Sequence, residues 1–151
     1  METLFTVLIA VQFAVIVLHD WLEIPGWTHG HQVQSVVGRA QLRLATLVNA
    51  VFPGTAVALA LYYWRKPKPE AVIDYWAVYC AITALAAAIM WYLPYLFGCS
   101  QRRKQLYAKM YAGTRQILPA RGDNPRPNLL HVCFHLLFAA NLILIVSMRF
   151  A

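Results

Sequence analysis

The sequence predicts an all-α integral membrane protein, a four-transmembrane-helix bundle with an interfacial amphipathic helix in its third loop. The 151 residues are 60% hydrophobic and 13% charged, whereas soluble domains average about 25% charged. Four apolar runs approach the roughly 20 residues that cross a hydrocarbon core as a helix. Most charged side chains lie between these runs. We therefore expect residues 1–151 to form a single membrane domain.

The predicted spans cover about residues 3–19, 44–64, 74–98 and 128–148. The first span is short enough to suggest a secretion signal. However, it opens with Glu2 rather than a basic residue, and His19 and Asp20 follow it. Because a signal peptide has a positive start and a small-residue cleavage site, we predict a retained span.

The distribution of basic residues predicts the orientation. Loops 20–43 and 99–127 carry nine of them: Arg39, Arg43, Arg102, Arg103, Lys104, Lys109, Arg115, Arg121 and Arg126. The opposite side carries four: Arg65, Lys66, Lys68 and Arg149. Because basic residues beside membrane helices stay in the cytoplasm, we expect both long loops inside and both termini outside. The expected location is the plasma (inner) membrane.

Two further helices are predicted within the cytoplasmic loops. An apolar stripe at helical spacing runs into the second span, so we expect that helix to begin near Gln32. A second helix is expected from Ser100 to about Ile117, with apolar residues on one side and basic residues on the other. That pattern is typical of a helix lying in the membrane interface. Pro119 would end it.

The stretch RGDNPRPNLLHVCFH, residues 121–135, concentrates polar side chains at the start of the last span. Asn128 is placed to cap that helix. His131 and His135 are four residues apart and so share one helix face. The predicted topology brings His19 and Asn49 to the same inner zone. We take His131, His135 and Asn49 as the candidate catalytic residues.

The two histidines also suggest a metal site. Two imidazoles at this spacing can share an ion, and His19, Asp20 or Glu23 is a candidate third ligand. The sequence lacks the glutamate of HExxH, so a structural or proton-handling role is the favoured alternative. Haem would need a second histidine at the depth of His135, and the sequence offers none. The cofactor is therefore left unassigned, and metal and haem both stay open as alternatives.

The arginines around this stretch suggest an anion site, because guanidinium groups bind phosphate or carboxylate in two places at once. The candidate ligand-binding residues are Arg115, Arg121, Asp123, Arg126 and Asn128. Alternatively, Asp123 pairs with an arginine and the prolines merely lead the chain back to the bilayer. Farther along the last span, Asn141 is expected to join two helices, with Gln12 as its partner.

The net charge of +7 comes from basic residues beside membrane helices, which favours anionic lipid headgroups as partners. No nucleic-acid motif accompanies it, so we expect no nucleic-acid partner. The sequence also lacks a nucleophile elbow, a phosphate-binding glycine loop, a CxxC motif and paired carboxylates. Classical hydrolase and nucleotide chemistry is therefore not predicted.

The topology resembles that of the membrane-associated proteins of eicosanoid and glutathione metabolism. The segment from Arg39 to Pro53 has basic residues and an asparagine like those of their second-helix signature. The resemblance would imply glutathione bound near the cytoplasmic helix ends. However, the signature's glutamate, one turn after the asparagine, is Phe52 or Pro53 here, and the spacing from Arg43 to Asn49 is too long. We therefore assign no family.

Three functions remain open from the sequence, and none establishes catalysis. The first is a protein that binds an anionic lipid or amphiphilic small molecule in a cytoplasm-facing vestibule. There, Arg115, Arg121 and Arg126 would hold the anionic head, and His131 and His135 in the same site would handle a proton or hydrogen bond. The second is a non-catalytic subunit or assembly factor of a larger membrane complex, or a homo-oligomer, packed through alanine-rich helix faces. The third is a metal-binding or haem-binding membrane protein that uses the histidines.

Overall fold

The computed structural model describes residues 1–150, which are mostly helical. The helices are α1 (Glu2–Leu18), α2 (Gly30–Val37), α3 (Arg39–Tyr62), α4 (Glu70–Ala87), α5 (Leu93–Phe97), α6 (Gln101–Met110) and α7 (Leu129–Arg149). A π-helical turn, Ala88–Tyr92, joins α4 to α5. Two short antiparallel strands, β1 (Glu23–Ile24) and β2 (Thr28–His29), lie between α1 and α2.

Three helical segments of the described chain are long and apolar enough to cross a membrane: Arg39–Tyr62, Glu70–Phe97 and Leu129–Arg149. They coincide closely with three of the predicted spans. The fourth predicted span corresponds to α1, a shorter apolar helix of 17 residues. The helical class and these three candidate membrane helices are therefore confirmed.

The helices pack around one apolar core. α1 lies along α3 and α7, and α4 lies along α7. Phe5 packs on Trp76 with ring centroids 4.8 Å apart, and Ile9, Phe138 and Ile145 are buried around them. Many large apolar side chains instead face outward, including Leu47, Phe52 and Ile143. Soluble monomers rarely expose such extensive apolar surface, so this exterior is suited to lipid.

A buried amide pair links α1 to α7 within this core. The Asn141 side-chain amide donates a hydrogen bond to Gln12 Oε1 at 2.8 Å, and both residues are fully buried. The pairing predicted for Asn141 and Gln12 is confirmed. It fixes the register of α1 against α7, because sliding either helix would leave two buried amides unpaired.

The helix predicted to begin near Gln32 and run into the second span is interrupted, so this prediction was wrong. α2 ends at Val37, and α3 starts anew at Arg39. Gly38 lies between them with φ +85°, a left-handed conformation that glycine adopts readily. The apolar stripe continues across the break, which explains why periodicity alone indicated one helix.

The helix predicted from Ser100 to Ile117 is also shorter than expected. Ser100 caps α6 by accepting a hydrogen bond from the Arg103 amide, but the helix ends at Met110. Gly113 has φ +76°, and the Thr114 hydroxyl donates to the Tyr111 carbonyl at 2.7 Å. These local features end the helix well before Pro119.

Candidate functional site

A mostly apolar cavity of about 270 Å³ opens between α1, α3, α4 and α7. We call it the histidine cavity because three imidazoles line it. Its polar lining residues are His19, Asn49, Thr83, His131 and His135. Its apolar lining includes Val15, Phe134 and Phe138. An adjoining apolar cavity of about 510 Å³ shares His19 and Asn49 and extends between α3 and α4.

His131 is held by the cap of its own helix. The Asn128 side-chain oxygen accepts the His131 backbone N–H at 3.0 Å and lies 2.7 Å from His131 Nδ1. The predicted cap is therefore confirmed. Because the same amide oxygen faces both nitrogens, Nδ1 is the donor and carries the proton of the neutral ring. His131 Nε2 is then an acceptor, and it makes no hydrogen bond within residues 1–150.

The second imidazole lies one turn farther along α7. His135 is half-buried, and its Nδ1 lies 3.1 Å from the Tyr92 hydroxyl. Its ring centroid is 6.1 Å from that of His131. Trp91, the residue before Tyr92, packs on His131 at 4.0 Å. Consecutive residues of the π-turn thus position the two histidines.

His19 approaches the same cavity from the end of α1. Its Nδ1 donates to the Val15 carbonyl at 2.9 Å, and its Nε2 lies 3.2 Å from Asp20 Oδ1. The His19 and His131 rings are 5.7 Å apart. The His19 ring is therefore fixed between a backbone carbonyl and a carboxylate.

Tyr111 follows the end of α6 and packs against two residues that line the cavity. Its ring packs on His131 at 5.3 Å and on Trp91 at 5.1 Å. Burial raises the pKa of the Tyr111 phenol well above its usual range, and the Asp20 and Tyr107 charges raise it further. Tyr111 is therefore neutral at physiological pH, and its hydroxyl remains a hydrogen-bond donor.

The π-turn has a local cause in the sequence. Pro94 has no N–H to donate to the Met90 carbonyl four residues earlier. That carbonyl instead accepts hydrogen bonds from Arg103 Nη2 and the Tyr107 hydroxyl, both at 2.8 Å. α6 therefore docks on a helix irregularity, and π-turns often occur at functional sites. The sequence analysis did not predict this arrangement, although a proline within the third span could have indicated an irregular turn there.

Asn49 faces both cavities from α3. Its side chain is exposed, and it makes no side-chain hydrogen bond to any residue of the described chain. Pro53, four residues on, cannot donate an N–H to the Asn49 carbonyl. Polar groups inside a membrane helix normally pair with another group. Asn49 therefore offers unused donors and acceptors to the cavity.

The candidate ligand-binding residues between α6 and α7 lie outside this cavity. Arg115 has an exposed side chain, whereas its backbone N–H donates to the Gly26 carbonyl at 2.7 Å. The Arg121 guanidinium lies over the Tyr95 ring at 5.6 Å. Arg126 Nη1 donates to the Leu118 carbonyl at 3.3 Å.

Asp123 pairs with Lys104 at 2.6 Å rather than with an arginine. Of the predicted site residues, the structure groups the three histidines with Asn49, and it holds Asn128 directly behind His131. The arginines and Asp123 form a separate region.

Among residues 1–150, no group of three histidine, cysteine, aspartate or glutamate side chains is arranged to hold a metal ion. His19, His131 and His135 share the cavity without forming such a group. Comparison with family models, curated proteins and solved structures finds no match for this chain. The resemblance to the glutathione-metabolism proteins therefore gains no support from these comparisons.

Proposed function

We propose that this protein is a four-span membrane protein whose histidine cavity binds an amphiphilic small molecule or lipid. The head of the ligand would bond to Asn49, His131 and His135, and its tail would lie among the apolar residues. One observation carries the proposal: an asparagine without a side-chain hydrogen bond to residues 1–150 and three imidazoles line one mostly apolar cavity within the helix bundle.

The packing of α1 supports a fourth crossing. At one end, Glu2 pairs with Lys68 of the α3–α4 turn at 2.6 Å. At the other end, the Trp21 indole N–H donates to Thr46 near the start of α3 at 3.0 Å. α1 therefore runs beside most of α3. Its 17 residues span about 26 Å as a helix, which approaches the thickness of the hydrocarbon core.

The charge distribution supports the orientation within this proposal. Lys68 and Arg149 each pair with an acidic residue, Glu2 and Asp74 respectively. Because acidic residues contribute little to membrane orientation, the number of basic residues decides the comparison, and this end carries four: Arg65, Lys66, Lys68 and Arg149. With nine basic residues in loops 20–43 and 99–127, we place those loops in the cytoplasm. The histidine cavity then opens in the cytoplasmic half of the bilayer.

The chemistry of the cavity favours a head that hydrogen-bonds. His131 presents an acceptor at Nε2, and Asn49 presents both a donor and an acceptor. No lysine or arginine of residues 1–150 lines the cavity, so neither an ammonium nor a guanidinium group recognises a ligand there. A carbonyl, hydroxyl or protonated acid satisfies these groups without burying an unpaired charge.

The size of the cavities suits a chain-bearing ligand. The adjoining cavity of about 510 Å³ lies within the range of ordinary ligand sites, roughly 300–1,000 Å³. The histidine cavity, at about 270 Å³, is slightly smaller than that range, so a ligand of ordinary size would occupy both. Both share Thr83 and Phe134, so one ligand can extend from the imidazoles toward the gap between α3 and α4. That gap gives a tail lateral access to the bilayer.

Mass spectrometry of small molecules that co-purify in mild detergent tests this proposal. We expect one enriched amphiphile with the wild-type protein and about tenfold less with Asn49→Leu or His135→Phe, which remove head contacts. Leu47→Ala is the matched control, because Leu47 is 69% exposed and lines neither cavity. Equal amounts from cavity and control variants would contradict the proposal.

A further inference from the structure

A third space, a polar groove of about 360 Å³, lies between α6 and residues 113–126. Tyr107 and Tyr111 form one wall of it. Both rings also pack on Trp91, at 4.8 and 5.1 Å, and Trp91 lines the histidine cavity. The two spaces are therefore distinct and share an aromatic partition.

The charged groups of this groove are two cations and one carboxylate: Lys104, Arg126 and Asp123. Lys104 Nζ contacts Asp123 at 2.6 Å and keeps its other ammonium protons for further acceptors. Arg126 uses one N–H on the Leu118 carbonyl, so most of its five donors remain available. The groove thus has a net positive charge and unused donors.

Neutral groups of the groove add to this donor set. The Gln116 side chain lines the groove and makes no side-chain hydrogen bond to any other residue between 1 and 150. Gly122 has φ +55°, and a Cβ built on it would meet nothing within 4 Å. The groove is therefore open at Gly122, which leaves room for a tetrahedral anion beside Lys104 and Arg126.

The residues around the groove indicate which kind of molecule would carry such an anion. Residues 102–126 contain seven basic residues and one acidic residue. The same segment exposes Leu106 and Ile117, and Phe97 just before it is 80% exposed. Basic residues interspersed with exposed large apolar side chains are typical of a membrane-interface surface. An anion held here would belong to a lipid headgroup.

We propose that the groove between α6 and residues 113–126 binds the phosphate of an anionic phospholipid through Lys104 and Arg126. Asp123 competes with that phosphate for Lys104. Lys104 lowers the pKa of the Asp123 carboxyl, so the competing charge is present at neutral pH. Removing the carboxylate should therefore strengthen phosphate binding, whereas removing either cation should weaken it.

Native mass spectrometry of the full chain with short-chain phosphatidylglycerol, short-chain phosphatidylcholine or inorganic phosphate tests this proposal. We expect Lys104→Gln with Arg126→Gln to weaken phosphatidylglycerol binding about tenfold and Asp123→Asn to strengthen it several-fold. The matched control is Arg102→Gln with Lys109→Gln, which removes the same charge from residues outside the groove. The control should change binding by less than about twofold.

Three results would overturn the proposal. Equal weakening by the groove and control pairs would mean that diffuse charge attracts the lipid. Unchanged binding in Asp123→Asn, at a position where the side chain is 69% exposed, would exclude the competition. Equal binding of phosphatidylcholine or inorganic phosphate would exclude an anionic lipid as the preferred ligand. Asn49→Leu should not affect this assay, so its outcome is independent of the histidine cavity.

Discussion

Asn128 Oδ1 lies 2.7 Å from His131 Nδ1 while it also caps α7 through the His131 backbone N–H. One amide oxygen therefore starts the last helix and sets the orientation of the imidazole that enters the cavity. Asn128 is 1% exposed, so no water replaces these bonds readily. Asn128 therefore contributes both to the stability of α7 and to the orientation of His131 in the cavity.

The first prediction follows from this dual role. Asn128→Ala should lower the free energy of unfolding by about 2 kcal/mol, because it removes a cap and leaves a buried imidazole N–H unpaired. Unfolding in mixtures of mild detergent and dodecyl sulfate measures this change. Ser100→Ala removes an exposed cap from α6 and should cost less than half as much. A smaller loss for Asn128→Ala than for Ser100→Ala would contradict the dual role.

The second prediction concerns the buried amide pair. Gln12→Leu or Asn141→Leu alone should destabilise the protein by about 1–2 kcal/mol, because each leaves the partner amide unpaired in an apolar core. The double variant should lose less than the sum of the two, since no amide then remains unpaired. A double-mutant cycle of unfolding free energies checks this, and strict additivity would argue against a direct pair.

How far the sequence predicts this fold depends on whether a feature is local. The candidate spans, the Asn128 cap and the pairing of Asn141 with Gln12 follow from apolar run length, helix-cap chemistry and the high cost of unpaired amides in a membrane. The break at Gly38 and the early end of α6 depend on single backbone conformations. Periodicity does not report such conformations, because the apolar pattern continues past them.

The residues of the candidate site could likewise be predicted only in part. Helical spacing and topology were enough to suggest that His131, His135 and His19 lie close together. Helical spacing and topology did not predict that Trp91 and Tyr92 contact these histidines, because the directions of the two side chains depend on the π-turn. The arginines were predicted to share a site with the histidines, since both flank the start of α7. The intervening aromatic packing separates them, and such packing is a tertiary property.

The third prediction tests the cause of the π-turn. Arg103→Leu with Tyr107→Phe removes both side-chain donors to the Met90 carbonyl and should cost about 1–3 kcal/mol. In a Pro94→Ala background the helix regains an N–H for that carbonyl. The same double change should then cost at least about 1 kcal/mol less in the unfolding assay. An identical loss in both backgrounds would show that Pro94 is not the reason for α6 docking there.

The fourth prediction concerns pH. The pKa of Asp123 lies below its ordinary value of 3.8 because Lys104 donates a hydrogen bond to the carboxylate. A lowered folded pKa means that the ion pair stabilises the protein fully above the ordinary value and is lost as pH falls through the folded value. Carbon NMR titration of the Asp123 carboxyl measures this directly. Lys104→Met should return its pKa toward 3.8, and no change would exclude Lys104 as the cause.

Photocrosslinking tests the central claim, ligand binding in the histidine cavity, most directly. A fatty acid with a diazirine at the end of its chain is irradiated with the wild-type protein in detergent, and the labelled residues are mapped by peptide mass spectrometry. We predict labels on cavity residues such as Ala86 and Phe134, reduced about tenfold by Asn49→Leu. Labels confined to outward-facing residues such as Leu47 and Ile143, unchanged by Asn49→Leu, would contradict the account.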